Sequence, residues 1–439
     1  MKIKQLLLLL LASCALPLAL AAQSAFSFVE QDRNFVAGTY GIYPEKDLPQ
    51  LTPAPQGYEP FYISHYGRHG SRYLNDMKGY MEPYKTLHQA DSLGMLTDLG
   101  KMALREIRLY IADAEGRWGD LAEKGKVQQR RIAHRMLQNF PEVFSDGAFV
   151  DARSTIVTRC VLSMGSSVLQ LVKERPNLKV SMNNSYSDMW YMNRQDKSLR
   201  AAASTQSSQK VFASFLEKRW NQDRLMTLLF NDMDYVRQHV DKIWFVYYLM
   251  KAALTQQNTD RSDEPNPLLH LFTSEDSYLY WLVENAWSYI HSGFCELNGA
   301  KQPYLQVYLL RKMIDEADSV INSQQHGASL RFGHETVLLP LVCLMGINGY
   351  DLRTDKFEEL EQKGWWANRV YPMAGNLQIV FYRKNTSDRN PLLKVLLNEK
   401  EATLPLPSDL APYYRWSDFR DFYLRKVAEG ESVLSATKR

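Results

Sequence analysis

The sequence predicts an α/β fold: a mainly parallel central sheet flanked by helices, with an inserted, mainly helical lobe. Three observations lead there. Short runs rich in aromatic and β-branched residues, at 59–65, 328–333 and 378–382, are separated by long stretches of helical periodicity, as crossover connections require. The first of these runs passes directly into a Gly-containing stretch, 66–70, the pattern of a buried strand feeding a functional loop. Between the early and late strands, 181–300 is polar, rich in Trp and Tyr and mainly helical, with a Pro-containing break at 263–267. The reading therefore assigns 23–180 and 301–439 to the α/β core and 181–300 to the inserted lobe.

Residues 1–22 stand apart. Lys2 and Lys4 precede an apolar core, Leu6 to Leu11, and Ala19-Leu20-Ala21 forms a small-residue cleavage site, so the stretch reads as an export signal. Leu11-Ala12-Ser13-Cys14 also resembles a lipoprotein cleavage box, which would leave a lipidated Cys14; the apolar residues continuing to Ala22 favour ordinary cleavage. No later apolar run is long enough to span a membrane. The expectation is a bacterial periplasmic or secreted protein.

From about Met81 to Phe144 the pattern is helical, with Gly94, Gly100, Gly119 and Gly125 expected to punctuate separate helices. Ser154 is placed to cap a helix running to about Lys173, whose stripe of Ile156, Val157, Cys160, Val161, Met164, Val168, Leu171 and Val172 is apolar. Arg159 then lies in its first turns, where the dipole and free N–H groups favour an anion. Helical periodicity returns from Tyr304 to Ile321, 328–333 reads as a strand delivering His334, and 378–382 closes the pattern.

Composition narrows the function. With 45% hydrophobic, 12% aromatic and 23% charged residues and a net charge of +3, the chain is globular and lacks the dense basic block of a nucleic-acid binder. Beyond the signal, Cys160, Cys295 and Cys343 permit one disulfide at most and are too scattered for a metal site.

The chemistry concentrates in His65-Tyr66-Gly67-Arg68-His69-Gly70-Ser71-Arg72. A phosphate monoester carries close to two negative charges, so a neutral imidazole attacks its phosphorus only if cations draw charge from the oxygens. Arg68 and Arg72 flank His69 to do this, and Gly70 allows close backbone approach. A metal bound by His65 and His69 is the rival, but their spacing suits a helix, which Gly67 and Gly70 disfavour. No metal or other cofactor is expected, and His65 is read as a supporting or core histidine. At 332–336, Phe-Gly-His-Glu-Thr adds a second imidazole, His334, to donate to a phosphate oxygen, and a carboxyl, Glu335, to protonate the leaving alcohol.

These two segments together resemble the histidine acid phosphatases, the second branch of the histidine phosphatase superfamily. Residues 331–346 (RFGHETVLLPLVCLMG) are similar in particular to multiple inositol polyphosphate phosphatases and phytases. The resemblance implies His69 as nucleophile, Glu335 as proton donor, and Arg68, Arg72, Arg159 and His334 as the phosphate clamp. It also implies a structural role for Gly119 to Gly125 with Gln128, a place near the pocket for Asn376, and a small phosphate ester as substrate. Two departures stand out: the inositol phosphatases usually read His-Ala-Glu where this chain has His334-Glu335-Thr336, and Leu74 replaces a usual proline. Arg194, Lys197, Arg200, Lys78, Arg130 and Arg131 are available to a polyanionic substrate. A broad acid phosphatase acting on sugar phosphates and an inactive phosphate-binding relative remain the alternatives.

Overall fold

In the computed structural model, residues 24–46, 48–194, 196–219 and 222–437 are described; residues 1–22, read above as an export signal, lie outside them. Eight strands form one sheet: β1 (Glu59–Arg68), β2 (Phe149–Ser154), β3 (Lys179–Asn183), β4 (Gly327–Gly333), β5 (Asn376–Arg383), β6 (Leu392–Leu397), β7 (Lys400–Glu401) and β8 (Tyr413–Arg415). Their order is β8-β6-β5-β1-β4-β2-β3, with β7 paired to β6. The run β1-β4-β2-β3 is parallel. From β1 outward through β5 and β6 to β8 the pairing is antiparallel.

Period-two alternation builds two apolar layers on this sheet. Ile63, Val150, Ala152, Ala328, Leu330, Phe332 and Val380 face helices α1 (Glu123–Asn139) and α2 (Thr158–Glu174), which supply Ala133, Met136, Met164, Val168 and Leu171. Tyr62, Tyr66, Leu377, Ile379, Leu393 and Val395 face the other way, onto α3 (Val307–Ser323), α4 (Glu335–Met345) and α5 (Trp416–Thr437). A third core unites the helices at Lys78–Ser92 and Asp98–Ala114 with those at Asp223–Leu229, Lys242–Thr255 and Ser274–Ser292, and also takes in Val36 and Tyr40. Among the described residues no helix is long and apolar enough to cross a membrane.

Several local expectations need correction. The first strand does not stop at His65 but runs to Arg68, because Gly67 pairs with Asn376 on one side and Arg68 with Gly333 on the other. Gly67 is required there, since a Cβ would stand 2.7 Å from the His65 ring. Ser154 caps no helix: it ends β2, its hydroxyl donates to the Thr155 carbonyl, and α2 starts at Thr158. Gly100 and Gly125 lie within first turns rather than between helices. The strands β2, β3 and β6 went unrecognised; β6, Leu-Leu-Lys-Val-Leu-Leu, buries even Lys394, whose Nζ donates to the Thr52 carbonyl and to Glu401. All three described cysteines are free and buried.

Candidate active site

Three neighbouring parallel strands end together, and each delivers one residue to the same place. His69 follows β1, His334 follows β4 and Thr155 follows β2. Backbone bonds fix their level: the His69 N–H donates to the Gly333 carbonyl (3.0 Å) and the Thr155 N–H to the Phe332 carbonyl (2.9 Å). This is the carboxyl edge of a parallel sheet, where α/β sites form.

The loop after β1 is pinned from several sides. The Gly70 N–H donates to Ser163 Oγ (3.1 Å), the Ser71 N–H to Gln128 Oε1 (2.9 Å), and Gln129 Nε2 to the Arg68 carbonyl (2.9 Å). Gly70 and Gly125 meet back to back: a Cβ on Gly70 would lie 2.3 Å from the Gly125 oxygen, and one on Gly125 2.3 Å from the Ser71 oxygen. The segment 119–125 with Gln128 is thus the bed on which the loop rests. Leu74 needs no proline's rigidity, because its carbonyl accepts from the Gly119 N–H (2.7 Å) and its side chain is buried. We expect Gly125→Ala to cost about 1–3 kcal/mol, as an overpacked contact between two backbones does. A lowered midpoint in chemical denaturation checks this; an unchanged midpoint refutes the contact.

His69 is fully buried, and its Nδ1 lies 2.9 Å from the Gly70 carbonyl, which can only accept. Nδ1 therefore carries the proton and Nε2 keeps its lone pair. Burial, reinforced by Arg68 and Arg72, holds the imidazole well below its usual pKa, so it is neutral. The His334 ring lies 5.8 Å away at 72°. Burial lowers His334 to about 4, and its Nε2 is 3.1 Å from Thr155 Oγ1, with Cys160 Sγ at 3.7 Å.

Three guanidinium groups surround this pair. Arg68 donates to the Tyr371 carbonyl (2.6 Å) and Thr39 Oγ1 (3.0 Å), and its Nε faces Glu335 Oε2 at 3.1 Å. Arg72 donates to the Tyr73 carbonyl (2.8 Å) and lies 5.5 Å from the Tyr40 ring centre. Arg159, second residue of α2, has its pKa lowered by burial and then by Arg72. Buried Nε atoms of Arg72 and Arg159 have no hydrogen-bond partner among the described residues. Like charges gathered this way, with donors to spare, stabilise an anion placed among them. The N-termini of α2 and α4 add their dipoles, since Arg159 and His334-Glu335 occupy those ends.

Glu335 Oε2 lies 3.7 Å from His69 Nε2. Burial alone would raise its carboxyl, but Arg68 and then neighbours including Arg72 outweigh that and hold it well below the carboxylate range. His69, His334 and Glu335 place potential ligand atoms within 4.8 Å of one another. The surrounding guanidinium charges oppose a cation there and favour an anion. His65 takes no part: it packs on Phe332 in the sheet core, where burial lowers it to about 3.

All six residues singled out in the sequence, Arg68, His69, Arg72, Arg159, His334 and Glu335, are thus brought together. Asn376 lies beside them in a buried network, donating to Tyr43 Oη (3.0 Å). Of the outlying cations, Arg130 and Arg131 are paired to Glu123 and Glu45, and Arg194 lies over the Tyr308 ring. Sequence reasoning assigned no role at the site to Thr39, Tyr40, Thr155 or Tyr371.

No curated protein matches the chain. Solved structures of the Bifidobacterium longum multiple inositol polyphosphate phosphatase are similar in fold. The complex with inositol hexasulfate gives a TM-score of 0.72 at 16% identity over 88% of this chain and 96% of that one. The complex with phosphate gives 0.73 at 15% identity over 89% and 97%. The phytase from D. castellii gives 0.68 at 13% identity over 90% and 85%. The sequence model of the histidine phosphatase superfamily, branch 2, matches residues 67–398, and the chain belongs to that superfamily.

Proposed function

We propose that this protein is an exported phosphomonoesterase that hydrolyses inositol polyphosphates through a phosphohistidine intermediate. The observation that carries the reading is the free lone pair of the neutral His69 Nε2, set among three arginines at a sheet edge. In the first step Nε2 attacks phosphorus and the ester P–O bond breaks. Arg68, Arg72, Arg159 and His334 hold the phosphoryl oxygens. Glu335 is ionised while the positive field of Arg68 and its neighbours acts on it. A dianionic phosphate claims part of that positive field and adds negative charge of its own, so the carboxyl takes up a proton and passes it to the leaving alcohol. In the second step Glu335 accepts a proton from water, which attacks the phosphohistidine and releases phosphate with His69 restored. Each step uses groups of this chain and calls on no cofactor.

The inositol phosphate choice is supported by the sequence resemblance at 331–346 and by neighbours solved with inositol hexasulfate and named as phytases. Phosphate release from inositol hexakisphosphate, glucose 1-phosphate and p-nitrophenyl phosphate tests the proposal. We expect the highest kcat/KM for the first. A preference for glucose 1-phosphate would make the protein a sugar acid phosphatase, and binding without release an inactive relative.

A further inference from the structure

A buried amide outside both motif segments ties the loop after β1 to the helices of the third core. Asn258 stands in the turn Gln256–Asn258 that follows the helix Lys242–Thr255, and it is fully buried. Its side chain bridges two remote pieces of chain, 2.6 Å from the Tyr40 carbonyl and 2.8 Å from Ser71 Oγ. A carbonyl can only accept, so Nδ2 faces Tyr40 and donates. Oδ1 then faces Ser71, whose buried hydroxyl is the donor of the second bond.

Both partners bear on Arg72. Ser71 precedes it in the chain, and the Tyr40 ring centre lies 5.5 Å from its guanidinium. Little else aims that group: Nη1 donates to the Tyr73 carbonyl (2.8 Å), but among the described residues Arg72 pairs with no carboxylate and its Nε has no hydrogen-bond partner. Its direction therefore depends on the backbone at its root and on the ring beside it. The turn that carries Asn258 is itself firmly seated. Gln256 Nε2 donates to the carbonyls of Arg261 (3.1 Å), Glu264 (3.2 Å) and Pro265 (3.1 Å), and its Oε1 accepts from Tyr110 Oη (2.7 Å). Lys124 Nζ, beside the Gly125 bed, donates to the Gln257 carbonyl (2.9 Å). A clamp that must hold its anion to within about 0.5 Å needs supports locked in this way.

We propose that Asn258 is a positioning residue for the phosphate clamp: it aims Arg72 at the anion by fixing Ser71 on one side and Tyr40 on the other. This rests on the phosphatase reading above and adds to it a residue that touches neither the anion nor His69 and lies far along the chain from both motifs. The test measures the Kd of inorganic phosphate and kcat/KM on p-nitrophenyl phosphate for Asn258→Ala and Ser71→Ala, each in the wild-type and in the Arg72→Ala background.

In the wild-type background we expect Asn258→Ala to lower kcat/KM about ten- to thirtyfold, with a matching rise in the phosphate Kd, because a clamp arm displaced by a fraction of an ångström loses much of its hold. Ser71→Ala should produce part of the same loss. With Arg72 already gone, either change should shift the phosphate Kd by less than about twofold, since a residue that acts through a partner has nothing left to aim. A purely structural bond would weaken both backgrounds alike, and equal losses in the two would overturn the inference. So would an unchanged Kd in a folded Asn258→Ala protein. Should that variant fail to fold, Ser71→Ala, which breaks the same bridge at its loop end, decides by the same comparison. Failure of the wild type to bind phosphate at all would instead overturn the phosphatase reading.

Discussion

Replacing His69 by alanine is expected to lower phosphate release by about four orders of magnitude or more, because it removes the proposed nucleophile. The fold should survive. The ring's hydrogen bond is to the adjacent residue, Gly70, while the loop around it is fixed by Ser163, Gln128 and Gln129. Arg72, Arg159 and His334 also remain in place, so inorganic phosphate should still bind within about tenfold of the wild type. Quenched-flow labelling with a radioactive phosphoryl donor gives the complementary measurement. Wild-type protein should accumulate an acid-labile, base-stable label that the alanine variant lacks. Turnover retained by His69→Ala would show that another group attacks phosphorus.

Glu335→Gln should separate substrates by their leaving groups. With p-nitrophenol, which leaves readily as an anion, the first step loses little. With an inositol or sugar alcohol, the loss should reach about 10²–10⁴-fold, the usual range for removing a positioned acid. Glutamine also removes the ion pair with Arg68, so phosphate affinity should rise or hold rather than fall. The decisive comparison is burst kinetics on the two ester types. Equal losses on both would assign the proton to a different donor and leave Glu335 the task of orienting Arg68.

Much of this was readable in the chain because the chemistry is packed into two short segments. Each joins strand-forming residues to glycine and then to an ionisable group, and Arg68-His69-Gly70-Ser71-Arg72 and Gly333-His334-Glu335 fold as local units. Arg159 was legible from its place near a helix start, although the true start is Thr158 and not Ser154. What escaped was of two kinds. Strand β2 presents small inward residues, Ala152 and Ser154, whose apolar signal is faint, so a helix seemed to begin where the strand was ending. Thr39, Tyr40, Thr155 and Tyr371 act through distance: each is ordinary in its own neighbourhood and becomes part of the site only when remote pieces of chain pack together.

That assembly has a bearing on the chain's synthesis. β1 lies inside the sheet between β4 and β5, which are made long after it. Until Gly333 has emerged β1 lacks its β4 neighbour, and until Arg383 has emerged it lacks β5. A chain cut before β4 therefore lacks His334 and Glu335, and one cut before β5 leaves β1 unpaired along one side. The order of strands in the sheet thus defers assembly of this pocket until a late strand has joined an early one.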